Sequence, residues 1–418
     1  MKWGEHLKKI VIIGGGAAGL KAAISANFKY RNKDAQITVI EKNERPARKV
    51  MITGKGRCNV TNNCDIDTLI SSVPKNGRFL YSAFSALNPN DVMSFFESVG
   101  VPLKTERGNR VFPVSDKAVD IVDALVKTAK SGGAKIIGGQ AEEIMARDGV
   151  VTGVKLSNGQ ILEADSVILA TGGMSYPLTG STGDGYKMAQ KLGHTVTELK
   201  PSLVPLNIHE GFCTNLSGLS LKNVTFSVFE NGKKKPIFSE MGEMLFTHFG
   251  VSGPLVLSAS SHIRYMGKKE YVGFIDLKPA LTIEQLDNRI LRDFSEEQNK
   301  DFANSLSKLL PKSLIPVIIK LSGIDRNKKV NQINREERMA LCKLVKALPL
   351  HITGFRPIEE AIITSGGISV KEIDPKTMQS KLVKGLFFAG EIIDVDAYTG
   401  GFNLQIAFST GFVAGQNA

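Results

Sequence analysis

The chain's 418 residues exceed what one hydrophobic core usually serves, and 42% hydrophobic with 22% charged residues exclude a disordered or fibrous chain, so two or three globular domains are expected. A formal charge of +12 admits nucleic acid as a partner, but the basic residues are scattered, and short clusters such as Lys233, Lys234 and Lys235 read as solvated faces without interleaved aromatics. Cys58, Cys64, Cys213 and Cys342 show no C-x-x-C spacing and no stretch reaches the roughly 18 apolar residues of a spanning helix, so a cytoplasmic protein with no metal site and no membrane partner is expected.

Residues 9–13 are a β-branched run suited to a strand buried on both faces of a parallel sheet. The run enters three glycines, of which Gly14 and Gly16 stand with Gly19 at G-x-G-x-x-G spacing. An alanine-rich helix is predicted over 20–28, and a second strand over 36–40 ends on Glu41. Each part has a physical task. Gly14 turns the chain out of the strand, Gly16 lets the backbone approach a pyrophosphate, and Gly19 lets helix and strand close up. The first N–H groups of the helix, near Ala17 and Ala18, face the phosphates. Glu41 lies 22 residues past Gly19, where an acid binds ribose hydroxyls. That acid favours FAD or NAD over NADP, and this unit alone does not separate the two.

Lys42, Arg48 and Lys49 follow Glu41 and are candidate holders of anionic cofactor groups. Residues 54–62 read Gly-Lys-Gly-Arg-Cys-Asn-Val-Thr-Asn. In this segment Arg57 can grip pyrophosphate oxygens or a substrate anion in fork geometry. Cys58 reads as a small filler beside the cofactor, with a redox pair to Cys64 as the rival reading. A strand over 166–169 runs into Ala170, Thr171, Gly172 and Gly173. Residues 180–189 hold a Thr-Gly-Asp-Gly helix start, where Asp184 is either a cofactor neighbour or a cap.

From about residue 200 to 277 short alternating runs indicate strands and hairpins, and from 282 to about 348 the pattern is helical and charged. Thr247 and His248, within 242–254, either close a strand and tight turn or face substrate. The chain ends with a buried strand over 385–389 leading to Gly390 and Glu391. A turn through Gly400 and Gly401 and a helix from about 404 to 415 follow, a second anion-facing helix start.

These segments resemble FAD-binding proteins of the glutathione-reductase type, and the Thr-Gly-Asp-Gly start is similar to that of fumarate-reductase-type flavoproteins. The Gly54–Asn62 motif resembles one family in particular: bacterial flavoproteins described as NAD(P)/FAD-dependent oxidoreductases, with aminoacetone oxidases and a bile-acid-pathway enone reductase among them. The resemblance runs from Ile10 to Val413. Lys55, where a glycine is equally familiar, departs from the pattern and bears on substrate class. The resemblance implies that FAD is bound non-covalently by the residues already named, with Gly54, Gly56, Asn59, Thr61 and Asn62 from the motif. It adds Ala141, and from the last segment Phe402, Asn403, Leu404 and Gln405. The expected fold is α/β: a discontinuous Rossmann-type FAD-binding domain over 1–195 and 351–418, with an inserted β-subdomain over 196–280 and a helical subdomain over 281–350.

No H-E-x-x-H, Ser-His-Asp order or metal cluster stands out, which leaves the redox chemistry to the flavin. Weak candidates for a proton-handling group are Tyr176, His248 and Tyr398. The expected function is an FAD-dependent oxidoreductase on a small organic substrate, either reducing a double bond with NAD(P)H or oxidising a small amine with oxygen. No second G-x-G-x-x-G unit holds NAD(P)H, which would act as a transient donor. The alternative is a tRNA-modifying flavoprotein. Oligomeric state is not legible.

Overall fold

The computed structural model describes residues 7–30 and 34–418. The chain divides into two compact units, Met1–Ser202 with Ile358–Ala418, and Leu203–Pro357.

The first unit is built on β1 (Lys8–Ile13), α1 (Ala17–Tyr30), β2 (Ala35–Glu41), α2 (Arg48–Ile52), α3 (Ala118–Ser131), β3 (Lys135–Gly138), β4 (Ser166–Leu169), α4 (Asp184–Lys191), β5 (Leu386–Phe388) and α5 (Phe402–Asn417). Its central sheet has five strands in the order β5-β4-β1-β2-β3, all parallel. Ile13 pairs with Ile40 on one side and Leu169 on the other, and Leu169 pairs with Phe388. β1 is therefore interior, and Ile10, Val11, Ile12 and Ile13 are all buried, as a strand with helices on both faces requires.

Helices α1 and α5 approach so closely that backbone meets backbone. A Cβ on Gly411 would lie 2.3 Å from the Ala18 carbonyl oxygen, and one on Gly415 would lie 2.2 Å from that of Ala22. The end of the chain is thus packed onto its beginning. Three small antiparallel sheets, one joining Thr61–Asn62, Arg110–Pro113 and Leu103–Glu106, one joining Ala141–Arg147, Val150–Leu156 and Ile161–Glu163, and one pairing Lys200–Ser202 with Ile363–Ser365, complete this unit.

In the second unit six strands close a barrel: Leu206–Ile208, Gly250–Ser252, Phe238–Thr247, Ser220–Glu230, Tyr271–Asp276 and Leu348–Phe355 in spatial order. The alternation seen in the sequence is real, since Val224, Phe226 and Val228 point into the core on one strand. Helices Ile283–Ser295, Ile315–Ser322 and Arg335–Lys346 share that core through Leu286, Ile318 and Leu341. The helical stretch is an insertion between the fifth and sixth barrel strands of the chain. The residue-350 boundary falls inside Leu348–Phe355, the strand that closes the barrel.

Candidate cofactor-binding site

The site begins where β1 ends. Gly14 adopts φ +105° and a Cβ there would meet the Ala170 carbonyl oxygen at 2.5 Å, so only glycine makes this turn beside β4. Gly19 has a packing task, because its Cβ would lie 1.9 Å from the Gly14 oxygen. Gly16 is different: nothing lies within 4 Å of a Cβ built on it. It faces open space in front of the α1 N-terminus, whose first N–H groups have no partner inside the helix.

Glu41 closes the other edge. One carboxylate oxygen accepts from the Gly15 N–H at 2.9 Å, and the second accepts from the Asn43 backbone and side-chain N–H groups at 2.8 and 2.7 Å. The carboxylate is buried and oriented by the loop it borders. Asn43 is a residue that sequence reasoning missed, although it lies only two positions past Glu41 and a local turn brings it back onto that carboxylate.

From this loop a cleft of ≈1320 Å³, its open mouth included, runs past the C-terminal ends of the parallel strands, the place where open α/β sheets bind ligands. Its walls include Gly14, Gly16, Ala17, Ala18, Glu41 and Lys42 from the opening unit, with Arg48 and Lys49 from α2. Ala141, Ala170, Thr171, Gly172, Gly390, Glu391, Asn403 and Leu404 complete the expected residues found there. Ser181, Thr182 and Asp184 from the 180–189 segment line it too, and Thr53 and Gln140 line it without having been anticipated. Lys42 Nζ bonds Asp184 at 2.8 Å and the Thr182 hydroxyl at 2.5 Å. Asp184 is the first residue of α4, after a left-handed Gly183 cap, so its side chain pairs with Lys42 and does not cap the helix. Arg48 reaches the Asn43 side-chain oxygen at 3.4 Å. Lys49 Nζ bonds Glu391 and Ser175, each at 2.6 Å, and Glu391 also accepts from the Thr364 N–H at 2.9 Å.

The residues fit FAD. The open face at Gly16 and the α1 N–H groups suit a pyrophosphate, and Glu41 stands at ribose spacing. The Thr171 side chain is packed against Gly185, where a Cβ would lie 2.0 Å from its hydroxyl, so that glycine lets the helix Asp184–Lys191 close onto the cleft wall.

Much of the 54–62 motif does not line the cleft. Arg57, expected to grip phosphate or a substrate anion, binds Glu106 at 2.5 Å and Asp116 at 2.6 Å, with Phe112 against its guanidinium. Two carboxylates and an aromatic face already use its fork. The Thr61 hydroxyl donates to Gln405 at 2.5 Å, and Gln405 donates to the Leu87 carbonyl at 2.8 Å. Asn62 bonds the Gly108 and Gly400 carbonyls, and a Cβ on Gly401 would meet the Thr61 oxygen at 2.3 Å. Gly173 is likewise tight against Thr364. These residues, with Phe402, brace the start of α5. Gly54 and Gly56 take positive φ in an exposed turn. Asn59 keeps a buried side-chain oxygen without a partner among the described residues. Cys58 is fully buried and burial pushes its thiol up to about 12.

Tyr176 is half-buried in a left-handed conformation, and burial with the nearby Glu360 carboxylate raises its hydroxyl pKa. It is not on the cleft wall, nor is Tyr398, whose N–H donates to the Ser72 carbonyl at 3.0 Å. His248 belongs to the second unit, exposed at the turn between two barrel strands and edge-on to Phe249. The neighbouring Thr247 hydroxyl is buried without a partner among the described residues. Among the described residues no helix is long and apolar enough to cross a membrane.

A glycine turn, a free helix start and a ribose-spaced acid on a parallel sheet define a Rossmann-type dinucleotide-binding fold, and the chain's family and relatives make it an FAD-dependent oxidoreductase. The sequence matches the HI0933-like protein Rossmann domain over residues 8–417, and the chain belongs to that family. It is 30% identical over 419 residues to the 3-dehydro-bile acid delta(4,6)-reductase of Clostridium scindens, covering 99% of each chain. It is also 32% identical over 408 residues to the ribosomal RNA dihydrouridine synthase of Haemophilus influenzae, covering 96% of each, and 30% identical to that of Escherichia coli, covering 97%. Among solved structures, the 3-ketosteroid delta1-dehydrogenase of Sterolibacterium denitrificans shares the fold, with a TM-score of 0.52 at 13% identity over 97% of this chain and 98% of that one.

Proposed function

We propose that this oxidoreductase reduces a carbon–carbon double bond conjugated to a carbonyl. The observation that carries the reading is that relatives spanning nearly the whole chain bear names for one reaction on unlike substrates. A bile acid with a delta(4,6) unsaturation and an RNA uridine both present a C=C beside a carbonyl. When bound, FAD supplies two-electron hydride chemistry. The chain's own residues hold the cofactor along the cleft, with Glu41 on the ribose side and the Gly16 face open to phosphate. NAD(P)H is the transient electron donor in this reading. Four free cysteines suit a reducing cytoplasm.

The second reading takes the uracil ring of RNA as the substrate. The specific observation favouring it is charge: Leu203–Pro357 holds 22 of the 53 Lys and Arg but 15 of the 41 Asp and Glu, a balance of +7 out of +12.

The test is anaerobic. NADH or NADPH should bleach the flavin, and a conjugated enone or a uridine-containing RNA should restore its colour, while an isolated alkene should not. Failure of both nicotinamides, together with bleaching by a small amine and peroxide formation on adding oxygen, would replace the reductase reading by an amine oxidase.

A further inference from the structure

We propose that two adjoining turns of the barrel unit, 231–237 and 264–270, form a surface that binds the backbone and a base of single-stranded RNA. The inference deepens the RNA reading above and rests on it. In the sequence the two basic clusters are some thirty residues apart, and only the second has an aromatic residue, Tyr265, within it. The barrel register joins them. Strands Ser220–Glu230 and Tyr271–Asp276 pair with Glu230 opposite Tyr271, so the turn leaving one emerges beside the turn entering the other. The Asn231 N–H donates to the Glu270 carbonyl at 2.9 Å, tying the bases of the two turns together.

The joint surface carries Lys233, Lys234, Lys235, Arg264, Lys268 and Lys269 against the carboxylates of Glu230 and Glu270. Those two acids have structural tasks. Glu230 is buried and takes both Lys233, at 3.1 Å, and Lys269, one from each turn. Glu270 accepts from the Asn231 side chain at 2.8 Å. Lys234, Lys235 and Lys268 are exposed and make no ion pair among the described residues. Three cations are thus held together by the fold with no protein carboxylate to neutralise them. Such an array favours a polyanion, whose binding releases condensed counterions.

Tyr265 makes the choice among polyanions. Its ring is 51% exposed, its N–H donates to the Tyr271 hydroxyl at 3.2 Å, and Lys269 Nζ lies 5.1 Å from the ring centroid. An exposed aromatic face beside the lysines of its own turn is the arrangement that stacks an unpaired base while the cations follow the phosphates. A membrane surface would need exposed apolar side chains to insert. The apolar residues of these turns, Ile237 and Met266, are partly buried instead.

The test uses the FAD-loaded full chain, a uridine-containing single-stranded RNA oligomer, and vesicles containing phosphatidylglycerol, across a salt series. Wild type should bind the RNA with an affinity that falls as salt rises. The triple variant K234E/K235E/K268E should bind at least about tenfold more weakly. Its log–log salt slope should be shallower by about two, the value for three lost contacts on a single strand. Tyr265→Ala should weaken binding by about tenfold with the salt slope unchanged. Flavin content, circular dichroism and turnover of a small conjugated enone should match wild type in both variants. RNA binding that is equal in wild type and variants, or vesicle binding without RNA binding, overturns the surface. Either outcome leaves the double-bond reductase standing if the enone is still turned over, so the two failures are distinguishable.

Discussion

Lys49 Nζ lies 2.6 Å from Glu391 Oε2, an ion pair between residues 342 positions apart that both line the cofactor cleft. It joins the helix after β2 to the turn after β5, the first and last segments of the discontinuous unit. With side chains only 23% and 11% exposed, the pair is better shielded from water than an ordinary surface bridge. Glu391→Gln should leave the ammonium without a countercharge at this contact, with only neutral acceptors, Ser175 and the amide oxygen. We expect a loss of about 1–3 kcal/mol in stability and weaker FAD retention. A double-mutant cycle with Lys49→Gln checks it by thermal melts and FAD titration. Strictly additive effects would mean the two side chains do not act together.

Two glycines of one motif should respond in opposite ways to the same methyl group. Gly19→Ala forces a Cβ into the Gly14 carbonyl at 1.9 Å. The first strand–helix unit must shift, and we expect poor soluble yield or a loss of about 3 kcal/mol or more. Gly16→Ala meets nothing within 4 Å. That variant should melt within a few tenths of a kcal/mol of wild-type apoprotein, or slightly higher, yet purify colourless, because the methyl fills the space meant for phosphate. Full FAD occupancy in Gly16→Ala would move the pyrophosphate away from this loop.

Cys58 should be chemically silent. It is fully buried, and burial raises its thiol pKa to about 12, while Cys64, half-buried beside Asp65, is raised to about 11. Neither is a thiolate at neutral pH, so neither is poised for exchange. Cys58→Ser should keep most flavin binding and turnover. Anaerobic reductive titration of wild type should consume two electrons per flavin. Four electrons, falling to two in Cys58→Ser, would make Cys58 and Cys64 a redox pair.

His194 gives the fold a pH dependence of predictable sign. It is buried with Nδ1 3.1 Å from Glu372 and Nε2 2.9 Å from the Ser380 hydroxyl. Burial holds its pKa below the ordinary 6.5, the Glu372 carboxylate offsetting only part of that. Below 6.5 the unfolded chain takes up a proton that the folded chain refuses, so stability is full above that pH and is lost as pH falls through it. The melting temperature should be nearly flat from about pH 8 to 7 and decline below about 6.5. His194→Gln should lose part of that decline, and an unchanged slope would assign it to other groups.

The local sequence was enough for the opening strand–turn–helix–strand, for Gly14, Gly16, Gly19 and Glu41, and for the closing strand and helix. All of these rest on spacing within about thirty residues, where backbone periodicity and the steric needs of a tight turn act directly. Long-range pairing decided the rest. Arg57 turned to Glu106, 49 positions away, and Thr61 to Gln405, 344 positions away, so a motif that looks like ligand chemistry braces a helix instead. The strand Leu348–Phe355 closes a barrel begun before the helical insertion, which local alternation does not announce. The turns 231–237 and 264–270 adjoin only through the register of Glu230 on Tyr271. A side chain's hydrogen-bond partner is chosen by what the fold brings within about 3 Å of it, and that neighbour is set by packing of distant segments, not by the residues beside it in the chain.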